Sequence, residues 1–370
     1  MRVLISLAGL HRVDRGAEIA LEAIADGLGR RGHNVTVVGG GTEVAGRHYR
    51  FVRRAMIPRA RFDRLPSIPL LREPSTYESL TFNLSTGLWY RPDDFDVTVT
   101  CGAPWDNLLL RRPRRGKRRP PHVFVTENGD WPAWTGGAEG RLFGCEGLVC
   151  TNPIYLERNR ARWNCTLIPN GVDIERFDLG PEMRAELGLW MNRPIVLMAS
   201  AAIPSKRVED GVRMVADLDD VGLVVAGDGP LAAQVDHLGR QLLGDRYLRR
   251  SFGRDEMPAL YRSADVLLHL SHAESFGNVY IEAMACGLPV VAHRSPITAW
   301  ILDEHDDGLV DTDDHELTVT KLTEHLANPP GSAAGRHQSI AARFSWEAVA
   351  EQYETFLESV VADQRCSTPR

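Results

Sequence analysis

The sequence lacks any apolar run of about 18 residues, the length that a helix needs to cross a membrane. Its first residues also lack the cleavage pattern of a secretory signal peptide, and residues 2–8 instead predict a β-strand. The six cysteines are scattered, and none forms a C-x-x-C pair that would indicate a zinc site or a disulfide framework. These absences predict a cytoplasmic protein with reduced thiols.

The charge of the chain is unevenly divided, and this bears on the number of domains. Residues 1–170 hold 25 lysine or arginine residues against 17 acidic ones, whereas residues 171–370 hold 18 against 32. A chain of 370 residues exceeds one typical domain, so the asymmetry favours two lobes with different partners. The basic lobe suits an anionic acceptor or peripheral contact with a membrane surface, although two differently solvated surfaces would give the same asymmetry.

The most basic stretch, residues 111–119, places seven arginine or lysine residues among nine. No aromatic residues interleave with these charges and no nucleic-acid-binding motif accompanies them, so we expect no nucleic-acid partner. A solvated loop between a helix and a strand is the first interpretation. Contact with an anionic acceptor or a membrane is the alternative.

The most informative stretch is S-H-A-E-S-F-G-N-V-Y-I-E-A-M-A-C-G-L-P-V-V-A-H-R at residues 271–294. The apolar run at 264–270 predicts a buried strand before it, and residues 276–286 predict a helix that Gly287 ends. Ligands bind at the carboxyl ends of parallel strands. The turn between strand and helix therefore carries Glu274 to a binding edge.

Glu274 and Glu282 are separated by roughly 12 Å along the predicted helix axis. Between them the helix N-terminus directs the backbone N–H groups near Gly277, Asn278 and Val279 outward, which favours an anion such as a diphosphate. One carboxylate beyond each end of a diphosphate suits a nucleotide sugar, with Glu274 on sugar hydroxyls and Glu282 on ribose hydroxyls. Alternatively, the first glutamate caps the helix and the second is an ordinary helix residue.

The stretch E-S-F-G-N-V-Y-I-E-A-M-A-C-G-L-P-V-V-A strongly resembles the E-x7-E signature of retaining glycosyltransferases of the family 4 type, which have the GT-B fold. I-P-N-G-V-D at 168–173 and G-D-G-P at 227–230 are similar to further family motifs. The resemblance implies two Rossmann-like, doubly wound α/β domains facing across a cleft, and the β-α-β alternation agrees. The predicted limits are an acceptor-side domain at 1–168, a nucleotide-sugar-binding domain at 169–343, and a last helix with its tail, 344–370, that crosses back to the first domain.

The first lobe opens β-α-β, and Gly16 in its first strand-to-helix turn allows backbone to approach a ligand. In the family this turn usually reads G-G-x-E and lies near the donor phosphate and the acceptor, so the resemblance makes Gly16 a donor-binding residue. Here Arg15 replaces the first glycine. Resembling transferases often place a histidine after the strand at 122–126, where it contacts the transferred sugar. This sequence has Glu127 and Asn128 there. With His11, these two are the predicted side chains on the sugar and acceptor side.

In the second lobe the loop S-A-A-I-P-S-K-R at 200–207 follows a predicted strand. Lys206 would neutralise a diphosphate and stabilise the charge that develops as the nucleotide leaves. The arginine that is usual in the family is absent, because Ala201 occupies its position, and Arg207 is the candidate second cation. The resemblance assigns the nucleobase to the stretch after the strand at 247–252, at Phe252, Gly253 and Met257.

The resemblance implies transfer of a sugar from a nucleoside-diphosphate sugar with retention of configuration, without a metal or a further cofactor. Glu274 and Lys206 are then the predicted catalytic residues. No D-x-D pair is evident at the end of a predicted strand, which agrees with metal independence. The donor base, the donor sugar and the acceptor, whether glycan, lipid or small molecule, are left open.

Two other function classes stay open at this stage. A GT-B nucleotide-sugar epimerase would need an acid and a base, for which Asp130 and His11 are the candidates. A non-catalytic sugar-nucleotide-binding protein is suggested by the missing arginine. Trp131 and Trp134 are candidates for an aromatic surface under a sugar ring.

Overall fold

The computed structural model describes residues 1–13, 15–68, 70–112, 119–130, 142–303 and 306–366. The predicted aromatic pair Trp131 and Trp134 and most of the basic run at 111–119 lie outside these residues. The chain divides into two compact units, Met1–Asn170 with Trp346–Arg370, and Gly171–Ser345. Each unit has its own parallel sheet, which confirms the predicted pair of doubly wound α/β sheets. The domain limits at 168 and 343 stay predictions.

The sheet of the first unit orders its strands β3-β2-β1-β4-β5-β6-β7, and every neighbouring pair is parallel. Residues 47–75 were expected to be irregular, and β3 corrects that expectation. Only two of its four residues, R-F-V-R, are apolar, so the strand cannot be recognised from the sequence without its pairing to β2. The strands are β1 (Arg2–Ser6), β2 (Asn34–Gly39), β3 (Arg50–Arg53), β4 (Val97–Thr100), β5 (His122–Val125), β6 (Gly147–Cys150) and β7 (Cys165–Leu167).

Helices of the first unit pack on both faces of this sheet. The apolar stripe of α1, with Leu21, Ile24 and Leu28, is buried against the strands because these residues recur at helical spacing. The helices before the second unit are α1 (Gly16–Arg30), α2 (Pro74–Trp89), α3 (Trp105–Leu110) and α4 (Pro153–Asn159).

The sheet of the second unit has the order β10-β9-β8-β11-β12-β13 and is also parallel throughout. Its central strands are short, continuous apolar runs, as expected for strands covered on both faces. The six strands are β8 (Ile195–Ala199), β9 (Gly222–Ala226), β10 (Tyr247–Arg250), β11 (Val266–His269), β12 (Val290–His293) and β13 (Leu309–Val310). The helices are α5 (Val208–Ala216), α6 (Ala232–Leu243), α7 (Met257–Ser263), α8 (Asn278–Ala285), α9 (Pro296–Leu302), α10 (His315–Ala327) and α11 (Ala333–Phe344).

The edge strand β13 corrects a second expectation, that residues 303–314 form a loop. With two residues it is too short to be read from a sequence pattern. It is followed directly by Asp311, Thr312 and Asp313, so the inference that no D-x-D pair lies at a strand end was wrong. Metal independence loses that support and stays a prediction.

The last helix, α12 (Trp346–Cys366), belongs to the first unit. Val349, Tyr353 and Leu357 lie on one face, four residues apart, and are buried in the same core as α1. Arg31, directly after α1, also forms ion pairs with Glu347 and Glu354 of α12. Among the described residues, none of the helices is both long and apolar enough to span a membrane.

Candidate functional site

Two neighbouring strands of the second unit bring the predicted catalytic residues together. β8 and β11 pair in parallel, so the loops that follow them leave the same edge of the sheet. The loop after β8 carries Lys206 and the loop after β11 carries Glu274. Their side chains form an ion pair through Lys206 Nζ and Glu274 Oε1. Both are mostly shielded from solvent, with 20% and 12% of the side chains exposed.

A histidine that sequence reasoning missed completes this contact. His269, the last residue of β11, donates from Nε2 to Oε1 of Glu274 at 2.8 Å and is itself buried. Burial alone would raise the pKa of Glu274, but the hydrogen bonds from His269 and Lys206 outweigh it and lower the pKa to about 2. Glu274 is therefore an ionised carboxylate at neutral pH. The sequence signal that could have identified this histidine is its position as a polar residue near the end of the apolar run A-D-V-L-L-H-L.

The helix after Glu274 begins two residues later than predicted, at Asn278. Phe276 is instead an anchor, buried against the rings of Trp300 and Phe344. Gly277 precedes the helix with φ +89°, and a Cβ there would lie 2.4 Å from the ring of Tyr280. The first turn of α8, with Asn278 and Val279, thus starts beside the Glu274 loop. Its N-terminal end is suited to a diphosphate.

Glu282, the predicted ribose ligand, lies further along α8 and faces α7. The hydroxyl of Tyr261 donates to its Oε2 at 2.9 Å. Burial raises the pKa of Glu282 to about 7, and the hydrogen bond from Tyr261 and the charges of Arg254 and Arg176 partly oppose that rise. The second glutamate is therefore a partly buried group whose pKa lies close to neutral pH, and not a fully exposed helix residue.

The three predicted nucleobase residues lie at the edge of the sheet, beyond β9 and β8 from the Glu274 loop. β10 ends at Arg250, so Phe252 follows the strand, with the Arg250 guanidinium 4.1 Å from its ring centroid. Gly253 donates its backbone N–H to Glu256 at 2.6 Å. Met257 begins α7, the helix that also carries Tyr261. The set is thus linked to Glu282 through α7, and among the described residues no hydrogen bond or ion pair is seen between it and the Lys206–Glu274 pair.

Arg207 turns away from its neighbour Lys206. Its backbone is left-handed, with φ +53°, and its guanidinium binds Asp210 and Asp313, both at 2.9 Å, and Thr312. The predicted second cation of the diphosphate site is therefore already paired with the loop after β13. One carboxylate of the D-x-D pair is used in that contact.

In the first unit, the side chain of His11 is held in place by contacts with other residues. Its Nε2 is 2.6 Å from the hydroxyl of Tyr49 and its Nδ1 is 2.8 Å from the carbonyl of Thr42. The ring is stacked on Phe51 with centroids 4.0 Å apart. Gly16 is the first residue of α1, and a Cβ there would meet nothing within 4 Å, so packing does not require this glycine.

Glu127 lies two residues after the end of β5, and one of its carboxylate oxygens has no hydrogen-bond partner in the described part of the chain. Its Oε1 is buried without a hydrogen-bond partner among the described residues. Burial raises the pKa of Glu127 to about 8, and a hydrogen bond with Asn170 partly opposes that rise. Asn128 instead donates to the carbonyl of Cys101 at 3.3 Å, and Asp130 is buried and accepts from Asn159 at 2.6 Å. With His11 also bonded at both nitrogens, no observation favours the epimerase alternative.

One group of three side chains in the described residues has ligand atoms close enough to hold a metal ion: His33, Glu354 and Glu358. Arg31 already binds Glu354 at 2.6 Å, and the N-terminal amine lies 3.0 Å from His33 Nδ1. This group therefore helps to attach α12 within the first unit. None of the predicted donor-binding residues belongs to it.

Two family descriptions match the chain. Glycosyltransferase Family 4 matches residues 15–176, and Glycosyl transferases group 1 matches residues 181–358. The first match lies in the first unit up to the junction at residue 170 and the second covers nearly all of the second unit. The motifs around Glu274 therefore lie inside the group 1 match.

Two relatives are similar over about 200 residues. The GDP-mannose-dependent alpha-(1-6)-phosphatidylinositol monomannoside mannosyltransferase of Mycolicibacterium smegmatis is 32% identical over 197 residues, covering 47% of this chain and 51% of that protein. The D-inositol 3-phosphate glycosyltransferase of Mycolicibacterium gilvum is 34% identical over 206 residues, covering 53% and 46%. The chain thus spans about half the length of the relatives it matches.

Solved structures match the whole chain at low identity. The sucrose-phosphate synthase of Thermosynechococcus elongatus superposes with a TM-score of 0.75 and 20% identity, covering 98% of this chain and 99% of that one. HepE of Anabaena, in complex with UDP and glucose, gives 0.70 and 19%, covering 97% and 100%. At these identities the likeness establishes the GT-B fold but does not identify the ligand of this chain.

Proposed function

The chain belongs to the family 4 glycosyltransferases, and on that premise we propose that it transfers a sugar from a nucleoside-diphosphate sugar to an acceptor hydroxyl with retention of configuration. The observation that carries this proposal is the Lys206–Glu274 ion pair beside the N-terminus of α8. A cation, an ionised carboxylate and a helix N-terminus at one sheet edge suit the diphosphate and the sugar of such a donor.

Each group has a distinct role in this reaction. Glu274 accepts hydrogen bonds from donor-sugar hydroxyls and orients the sugar. Lys206 and the N–H groups at the start of α8 bind the diphosphate and stabilise its charge as the bond to the sugar breaks. Glu282 accepts the ribose hydroxyls. Because these groups supply positive charge themselves, the reaction needs no metal ion.

The names of the related proteins guide the choice of donor. One relative is named as GDP-mannose-dependent, and HepE was solved with UDP and glucose. GDP-mannose and UDP-glucose are therefore the first donors to test for this chain. The sheet-edge residues Phe252, Gly253 and Met257 are the proposed contacts of the base.

The acceptor is proposed to lie on the side of the first unit, and a lipid acceptor would bring the chain to a membrane surface. Helix α2 exposes Leu84 and Leu88, four residues apart, to 65% and 90%. Arg54 and Arg112 donate to the backbone carbonyls of Ser85 and Gly87 in the same helix. Apolar side chains flanked by arginines suit peripheral contact with anionic lipid from the cytoplasmic side.

A thermal-shift panel tests the donor assignment. The purified chain is melted with GDP, UDP, ADP and dTDP and their common sugar conjugates, each with Mg²⁺ and with EDTA, because a ligand of the folded state raises the melting temperature. We expect one base to stabilise equally under both conditions, and the matching sugar nucleotide to be hydrolysed or transferred. Binding of a nucleotide, with no turnover of its sugar conjugate in the presence of any acceptor, would favour the non-catalytic alternative. No binding at all would refute the proposal.

A further inference from the structure

Two side chains bind the same carboxylate oxygen of Glu274. Lys206 Nζ and His269 Nε2 both bind Oε1, the histidine at 2.8 Å. Oε2 makes no hydrogen bond among the described residues. The two partners therefore fix the direction of the carboxylate and leave one oxygen available for sugar hydroxyls.

The two partners differ in their freedom to move. His269 ends β11, is 2% exposed, and lies edge-on against Tyr280 with ring centroids 5.1 Å apart. Tyr280 is also buried, and it occupies the space that a side chain at Gly277 would need. Lys206 ends a short turn after β8 on a flexible four-carbon stem. The histidine is thus fixed by its surroundings, whereas the lysine can reorient.

A diphosphate bound at α8 would compete with Glu274 for the Lys206 ammonium. A buried carboxylate that loses its only partner is strongly destabilised. We propose that His269 is a positioning residue that holds Oε1 of Glu274 when Lys206 turns to the diphosphate, so that Oε2 stays directed at the donor sugar. This inference rests on the proposed function and adds a residue to it that acts through Glu274.

The test compares two amide replacements of the histidine. In His269→Gln the amide nitrogen reaches the position of Nε2, whereas in His269→Asn it is too short to reach Glu274. Affinities for UDP, UDP-glucose, GDP and GDP-mannose are measured by calorimetry, together with turnover. We expect His269→Asn to weaken sugar-nucleotide binding about tenfold and to lower kcat, while the affinity for the free nucleotide changes less than about twofold. His269→Gln should recover most of both losses.

A double-mutant cycle separates action through Glu274 from a general effect on the fold. In a Glu274→Gln background, adding His269→Asn should change sugar-nucleotide affinity less than about twofold, because coupled residues are not additive. The matched control is His325→Asn, an equally buried histidine in α10 of the same unit, 2% exposed. It should leave both affinities unchanged.

The outcomes distinguish this inference from the proposed function. If the wild-type protein binds neither nucleotide nor sugar nucleotide, the proposed function fails, and the inference fails with it. Two outcomes overturn only the positioning role of His269, provided that the wild type binds and turns over donor. In the first, the effects of Glu274→Gln and His269→Asn are additive. In the second, His269→Gln lowers affinity and turnover as much as His269→Asn does. Equal losses for free nucleotide and sugar nucleotide would also overturn it.

Discussion

Lys206 and Glu274 are 68 residues apart in the sequence and form an ion pair at one edge of the second sheet. The contact exists because β8 and β11 are spatial neighbours although β9 and β10 separate them along the chain. The pair joins the two residues predicted to be catalytic. In the proposed reaction, contacts of Lys206 with the diphosphate replace this contact and offset its loss.

Replacing Lys206 by methionine should lower turnover on the order of 10²–10³-fold, because it removes a preorganised positive group at the leaving diphosphate. The control is Lys321→Met in the same unit. Lys321 has almost the same exposure, 19% against 20%, and also forms ion pairs, with Asp307 and Glu324. Steady-state release of nucleotide measures both variants. Equal effects of the two substitutions would contradict the assigned role of Lys206.

Glu282→Gln should change the pH dependence of stability. The folded protein raises the pKa of Glu282 from 4.5 to about 7, so it binds this proton more tightly than the unfolded chain does. The associated stability is present below pH 4.5 and is lost as the pH rises through about 7. Glutamine does not titrate, so the variant should gain on the order of 2 kcal/mol over wild type between pH 5 and pH 8.

Urea unfolding of both proteins at these two pH values checks this expectation, with Glu316→Gln, an exposed glutamate of α10, as the control. A stability difference between Glu282→Gln and wild type that is independent of pH would show that Glu282 is ionised like an ordinary surface glutamate. The same variant should bind nucleoside diphosphate about tenfold more weakly if the carboxylate holds the ribose.

Gly277→Ala should destabilise the protein by more than Gly331→Ala. Both glycines have positive φ, +89° and +65°, so both substitutions carry the backbone cost of about 1 kcal/mol. A Cβ at Gly277 would also meet the Tyr280 ring, whereas nothing lies within 4 Å at Gly331. We expect an additional loss of about 1–3 kcal/mol at Gly277 in urea unfolding. Equal losses would mean that Tyr280 moves aside freely.

Leu84→Asp with Leu88→Asp should reduce binding to vesicles that contain anionic lipid several-fold, because the change removes exposed apolar contacts of α2 and adds negative charge. Co-sedimentation measures the bound fraction. Leu242→Asp, at a residue 41% exposed on α6 of the second unit, is the matched control. Binding that is unchanged in the double variant, or lost equally in the control, would exclude this face as the membrane contact.

Sequence patterns predicted the elements that have strong periodicity or clear end signals. The central apolar strands and α1 were placed within a few residues because hydrophobic runs and helical spacing persist over their length. Elements of two to four residues, such as β3 and β13, were missed because their hydrogen-bond partners lie elsewhere in the chain. Because β13 was missed, the D-x-D pair of Asp311 and Asp313 at its end was missed as well.

The predicted site residues show the same division. Glu274 and Lys206 meet in the structure, whereas Arg207 points to the loop after β13 and His11 is held by Tyr49 and Thr42. Neighbouring residues in a sequence can direct their side chains to different surfaces. Of the two cations predicted in this loop, Lys206 pairs with Glu274 and Arg207 pairs with Asp210 and Asp313.

The amino-acid sequence was sufficient for the family and for the two α/β sheets, because short motifs and hydrophobic periodicity are local properties. The choice of Glu274, Glu282 and Lys206 as site residues stays a prediction. The hydrogen bond between His269 and Glu274 and the partial burial of Glu282 and Glu127 came only from the folded chain. Burial, hydrogen-bond partners and pKa depend on which strands and helices become neighbours, and a linear pattern does not contain that information.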